Sequence, residues 1–285
     1  MTSFSSRFWS LSLATLLAAC GRSRSATVSP SPPLPSVASE TVTTDASASA
    51  GDGSLSLVGL ALEPSPRAIG PFSLPLATGR SVFFSLPRMP GKHRVIANLH
   101  GLCNPPGYAC GYWTEAASER GFLVCPEGNT KCGRGGPPSW DESFAQMDKD
   151  LEKAVAVVDA EYPGEVSRDG AVLTGFSRGG WAVPAIAAMH KGRWPYLILN
   201  EADATLSRSS LEAAGVKAVV LMAGEYGTQL AGERKTVTRL QKEGFRAKLI
   251  VMPKAGHFYS ANIDQLMGDA LEFLVGSNED TPPPT

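Results

Sequence analysis

Ser177 sits between two glycines in Gly175-Phe176-Ser177-Arg178-Gly179, after the apolar run Ala171-Val172-Leu173 and before a small-residue stretch from Gly180 to Met189. A strand that turns this sharply into a helix leaves room for little more than hydrogen at the flanking positions. Such a turn lifts the serine hydroxyl above the sheet, where a base can reach it. The hydroxyl alone is a weak nucleophile. It needs a base for its proton, an acid to orient that base, and donors for the negative oxygen of the attacked carbonyl. The chain has four histidines. His257 closes Pro253-Lys254-Ala255-Gly256-His257, beyond the last apolar run and far downstream of the serine, where a general base belongs in this chain order. His100 lies in His100-Gly101-Leu102-Cys103 and reads as a support for its loop. His93 precedes a strand and reads as solvated. His190 ends the helix after Ser177, where a partial negative charge favours an imidazolium cap.

The orienting acid should follow the apolar run Ala218–Ala223. The sequence there is Gly224-Glu225-Tyr226-Gly227, and Glu225 is its only acid. Glu225 is therefore the expected third member, with Glu201 and Asp203, after the preceding run, as a second place for it. The oxyanion donors are expected to be the backbone N–H of Leu102, where Gly101 lets the chain turn inward, and that of Arg178, directly after the nucleophile. Trp140, Trp181, Trp194 and Tyr226 are candidates to line a substrate pocket.

These segments need a scaffold that brings them to one edge. Apolar runs at Leu55–Leu62, Ser81–Leu86, Arg94–Leu99, Phe122–Cys125, Ala171–Gly175, Tyr196–Leu199, Ala218–Ala223 and Ala247–Met252 read as strands. The inner ones are continuous rather than alternating, as strands are when helices cover both faces. Helical stretches fall between them. Phe144 to Val158 places Phe144, Met147, Leu151, Val155 and Val158 on one stripe. Ser209-Ser210-Leu211-Glu212 reads as a capping box, with Gly215 ending that short helix. Thr228–Glu243 and Phe258–Leu274 complete the set. The pattern predicts an α/β domain with a mostly parallel eight-stranded sheet, where function gathers at the strands' carboxyl ends.

The chain has 285 residues, with 26 basic and 27 acidic side chains, a balance that gives no reason to expect nucleic acid as a partner. Residues 1–19 read as an export signal: Arg7, then an apolar run from Phe8 too short for a permanent span, ending in Leu17-Ala18-Ala19-Cys20-Gly21. This end resembles the bacterial lipoprotein signal, which implies a lipid on Cys20 and anchoring to a bacterial membrane, at its periplasmic face or the cell surface. Residues 20–53 are rich in Ser, Ala, Thr and Pro and read as a flexible tether. Residues 54–276 then form the folded domain, and 277–285 a disordered tail. Cys103, Cys110, Cys125 and Cys132 fall within thirty residues. In an exported chain they read as two disulfides with the pairing open, and their spacing does not resemble a zinc knuckle. No cofactor motif is present: there is no Gly-rich phosphate loop and no His-Glu-x-x-His helix.

Taken in order, His100-Gly101, the Gly175–Gly179 elbow and Ala255-Gly256-His257 make the chain resemble an α/β-hydrolase from about Leu55 to Leu274. Within that superfamily it is most similar to secreted polyhydroxybutyrate-depolymerase-like and feruloyl or acetyl esterases. These also tend to place a cysteine soon after the His-Gly turn and a tryptophan before the next long helix, here Cys103 and Trp140-Asp141. The resemblance implies a serine hydrolase acting on small or polymeric esters. A peptidase on the same machinery and a binding module without turnover are the alternatives. The family usually carries an aspartate three residues after the glycine that follows the next-to-last strand. Here that position is Gly227.

Overall fold

The computed structural model describes residues 65–141 and 143–276. The expected signal segment, Cys20, the tether, the candidate strand Leu55–Leu62 and the 277–285 tail lie outside the described residues. In chain order the elements are β1 (Phe72–Pro75), β2 (Ser81–Ser85), β3 (His93–Leu99), α1 (Pro106–Gly111), α2 (Thr114–Ser118), β4 (Gly121–Pro126), β5 (Thr130–Lys131), β6 (Pro138–Ser139) and α3 (Phe144–Glu161). They continue with β7 (Val166–Phe176), α4 (Arg178–Met189), β8 (Tyr196–Asn200), α5 (Arg208–Ala213), β9 (Ala218–Gly224), α6 (Leu230–Lys242), β10 (Ala247–Met252) and α7 (Ile263–Val275).

Eight strands form one sheet in the order β1-β2-β4-β3-β7-β8-β9-β10, and β5 and β6 form a small separate hairpin. From β4 to β10 every pairing is parallel, whereas β1 and β2 join antiparallel at one edge. The fold is therefore α/β with a mostly parallel sheet covered by helices on both faces. Alternate residues of each inner strand feed two apolar cores. Val95, Ala97 and Leu99 of β3 join Met147, Leu151, Val183, Ile186 and Leu240 from α3, α4 and α6. Ile96 of the same strand joins Trp113, the residue just before α2, and Met267 and Leu271 from α7. Each such fully buried aliphatic side chain contributes about 1.5–3 kcal/mol, and burial on both faces is why these strands read as unbroken apolar runs.

Local signals explain most boundaries. The Ser143 side chain accepts the Gln146 N–H at 3.2 Å and opens α3, whose buried stripe is Met147, Leu151, Ala154, Val155 and Val158. At α5 the expected cap is corrected. Ser207, not Ser209, is the N-cap, and its side chain and that of Ser210 reciprocate in a capping box. The strand β1 was not legible because three of its four residues are exposed and it carries no apolar run. The last helix begins at Ile263 rather than Phe258, which frees 258–262 to form a loop.

Register fixes the working edge. Phe176 of β7 pairs with Asn200 of β8, and Gly224 of β9 pairs with Met252 of β10. The next residues along β7 and β8 are Ser177 and Glu201, so the serine of the elbow and a carboxylate leave the sheet side by side.

Candidate active site

Ser177 links β7 to α4 with φ 52° and ψ −116°, a left-handed conformation that non-glycine residues rarely adopt. Its N–H is held by the Asn200 carbonyl at 2.8 Å. The two glycines of the motif are steric necessities. A Cβ on Gly175 would lie 2.4 Å from the Gly179 carbonyl carbon, and one on Gly179 would lie 2.0 Å from the Leu99 carbonyl oxygen. Any side chain at either position would push α4 off β7 or off β3, so the sequence pattern is the imprint of this tight turn.

His257 reaches the serine from the loop after β10. Its Nε2 lies 2.8 Å from Ser177 Oγ. Its Nδ1 lies 3.1 Å from Oε2 of Glu201, whose side chain is 0% exposed against 47% for the histidine. With Nδ1–H donated to the carboxylate, Nε2 is free to accept the hydroxyl proton. The other carboxylate oxygen, Oε1, accepts the Gly224 N–H. The expectation of Glu225 is thereby corrected. Glu225 is exposed, and its Oε2 accepts the Lys254 N–H at 2.9 Å, so it braces the loop that carries His257 rather than the imidazole itself. Asp203 does not face His257 either; its Oδ2 packs where a Cβ on Gly232 would lie, 2.7 Å away.

The exchange has a steric reason. A Cβ at Gly227 would stand 2.9 Å from Oε2 and 3.1 Å from Oε1 of Glu201. The glutamate carboxylate fills the space that a side chain at 227 would need. The signal for Glu201 was present in the sequence as the second place for the acid, and the bare glycine at 227 was its complement.

Leu102 lines the same cleft as Ser177 and His257. Behind it, His100 is buried and stacked on Trp140 with ring centroids 4.8 Å apart. His100 Nδ1 donates to the Gly101 carbonyl at 2.7 Å and Nε2 accepts the Gly128 N–H at 2.9 Å. Burial lowers its pKa to about 4, and the imidazole is neutral. Trp140 Nε1 donates to the His100 carbonyl at 2.8 Å. His100 is thus a brace for the loop, as expected. His93 is half-buried rather than solvated, and desolvation lowers its pKa. His190 ends α4 and pairs through Nε2 with Asp148 Oδ2 at 2.8 Å. Two disulfides, Cys103–Cys132 and Cys110–Cys125, fasten the segments on either side of the cleft loop.

The cleft has a volume of about 570 Å³ and an aromatic wall. Tyr108 packs edge-on to Tyr112 (4.9 Å), Tyr112 to Tyr259 (5.5 Å) and Tyr259 to Phe176 (4.9 Å), whose ring lies 5.3 Å from His257. Phe258 and Tyr108 are exposed. Of the expected lining residues, Trp140 and Trp194 are instead buried in the core, while Trp181 and Tyr226 are exposed outside this wall. The sequence missed Tyr108, Tyr112 and Tyr259 as a wall because they come from α1, its C-cap and the loop before α7, where no periodic pattern marks them.

This architecture is the α/β-hydrolase fold. Among solved structures the chain is similar to a mutant feruloyl esterase module from Clostridium thermocellum complexed with sinapinate, at 13% identity over 79% of this chain and 98% of that one, with a TM-score of 0.53. It is also similar to an esterase from Pyrobaculum calidifontis, at 13% identity over 76% of this chain and 87% of that one, with a TM-score of 0.52. A third is the fluorophosphonate-binding serine hydrolase F of Staphylococcus aureus, at 15% identity over 74% and 99% of the two chains, with a TM-score of 0.51. At these identities the likeness is one of fold. No family model matches the chain, and no curated protein matches it in sequence.

Proposed function

We propose that the protein is an exported serine hydrolase of carboxylic esters, with Ser177 as nucleophile, His257 as base and Glu201 as orienting acid. The observation that carries this reading is the unbroken hydrogen-bond chain from Glu201 through His257 to Ser177. In the reaction, His257 Nε2 takes the Ser177 proton as Oγ bonds to the ester carbonyl carbon. The buried Glu201 carboxylate stabilises the imidazolium that forms. The N–H groups of Leu102 and Arg178 receive the oxyanion. His257 then protonates the departing alcohol as its bond to the acyl carbon breaks. Water, deprotonated by the same imidazole, releases the acid and restores Ser177. The binding-module alternative drew on the missing aspartate at Gly227. Glu201 in that space supports turnover instead.

The aromatic wall supports acyl groups that are flat or apolar, since such groups stack on rings at little cost in lost hydration. The Clostridium module, complexed with sinapinate, supports the same kind of acyl group here. Short p-nitrophenyl esters test the chemistry. Wild-type protein should hydrolyse them, and Ser177→Ala should return the rate to background. Equal rates for the two would overturn the proposal.

The signal-like segment and Cys20 support export and lipid anchoring to a bacterial membrane, and an oxidising compartment accords with the cysteine pairs. Cys20→Ser should move the protein from the membrane to the soluble fraction of an expressing cell. Unchanged membrane retention would argue against the anchor.

A further inference from the structure

Glu201 stands in a conformation it would not choose alone. Its φ is 53°, in the left-handed region. Both peptide groups flanking it must therefore be held. On one side its N–H donates to the Met222 carbonyl at 2.8 Å. On the other, the Ala202 N–H donates to Oε1 of Glu233 at 3.0 Å. Glu233 lies in the first turn of α6 and is 0% exposed, yet that backbone N–H is the only partner its carboxyl group has among the described residues. A buried carboxyl group spent on a single main-chain N–H asks for a reason.

Resting on the reading of Glu201 as the orienting acid, we propose that Glu233 is a positioning residue that locks the peptide group after Glu201 and so aims the Glu201 carboxylate at His257 Nδ1. Apart from the bond to His257 itself, Glu233 is the one side-chain contributor to the lock among the described residues, because the other restraints on Glu201, from Met222 and Gly224, are main-chain groups of β9. The same contact joins α6 to the turn after β8, so the helix packing and the aim of the acid are set together. Burial, reinforced by the nearby charges of Glu201 and Asp203, raises the Glu233 pKa to about 8. The group is then a neutral carboxylic acid at pH 7, and it holds the Ala202 N–H without adding a second negative charge behind the triad.

Three variants of the full folded chain test this: Glu233→Gln, which keeps a neutral acceptor; Glu233→Leu, which fills the space without one; and Glu233→Asp, which withdraws the acceptor by one methylene and stands in if the leucine variant does not fold. Two readouts are needed. In kinetics with a p-nitrophenyl ester, Glu233→Leu should lose about 10- to 100-fold in kcat with little change in KM, the scale of a misaimed catalytic group. Glu233→Gln should stay within about threefold of wild type by the same reasoning. In proton NMR, the far-downfield signal of His257 Nδ1–H should persist in wild type and Glu233→Gln and broaden or vanish in Glu233→Leu. A leucine variant that keeps both kcat and the NMR signal, or a glutamine variant as impaired as the leucine one, would overturn the proposal. If wild type shows no turnover at all, the hydrolase reading fails by itself, and the NMR comparison still decides whether Glu233 aims Glu201.

Discussion

Glu201 follows β8 and Glu225 follows β9, in neighbouring strands of the sheet. Glu201 is fully buried, takes a left-handed backbone, and has each carboxylate oxygen engaged, one by His257 and one by the Gly224 N–H. Glu225 is exposed and holds the Lys254 N–H. Chain order favoured the second, and burial selects the first. A carboxylate removed from solvent beside an imidazole interacts at low effective dielectric, and its geometry is fixed by packing. A carboxylate at the surface is screened and movable. The difference between the two turns teaches that reach and desolvation decide which carboxylate meets the imidazole. The neighbouring strand can supply it when the usual position holds no side chain.

The sharpest way to break the comparison is to exchange the two acids' fates. Glu201→Ala should lower kcat by about 10³- to 10⁴-fold on a p-nitrophenyl ester, because the imidazole loses its orienting partner. Glu225→Gln should stay within about twofold, since a surface contact of this kind contributes little. Comparable losses in both would erase the distinction.

Next in size is the steric exchange at Gly227. Gly227→Asp should cost about 100-fold by driving a side chain into the Glu201 carboxylate. In a Glu201→Ala background the same substitution should instead raise kcat by about tenfold over Glu201→Ala, a strong coupling between neighbours. Additive losses measured in the four-protein cycle would show that the two positions do not share one space.

The pH dependence of stability sharpens the contrast further, through the group behind Glu201. Glu233 has its folded pKa raised to about 8 by burial and by the charges of Glu201 and Asp203. Between its unfolded value and that pH, the unfolded chain releases a proton that the folded one keeps. Stability is therefore lost as pH rises through this window. Glu233→Gln does not titrate, so its stability relative to wild type should grow from pH 5 to pH 8 by about 2–4 kcal/mol, read as a widening gap in denaturation midpoints. A constant gap would mean that Glu233 is ionised in the folded protein.

The smallest effect concerns the wall. Tyr112→Ala should raise KM for an aromatic acyl ester by about three- to tenfold, the scale of one lost ring contact, and leave that for an acetyl ester unchanged. Equal changes for both esters would remove the wall from substrate recognition.

The inner strands, α3 and the elbow were legible because each leaves a periodic or steric mark: continuous apolar runs, a helical stripe, and two glycines that no side chain can replace. Ser177 and His257 could be found because each stands just past such a run. Glu201 stood equally close to one, but nothing in the chain's order reveals which of two acids is buried, since that depends on the register of β8 and β9 and on the bare Gly227. Glu233 was beyond reach altogether. It sits among charged neighbours in an amphipathic helix, and only the packing of α6 against the turn after β8 takes it out of water. The edge strand β1 and the aromatic wall were hidden for the opposite reason, being exposed and irregular.

The most direct test is the rate at which a fluorophosphonate labels the folded protein, with the modified peptide identified by mass. Wild type should label on Ser177, Glu225→Gln, which keeps an acceptor for the Lys254 N–H, should label within about twofold of that rate, and Glu201→Ala should label at least about a thousandfold more slowly. Labelling that survives in Glu201→Ala and collapses in Glu225→Gln, or that never reaches Ser177, would contradict the account.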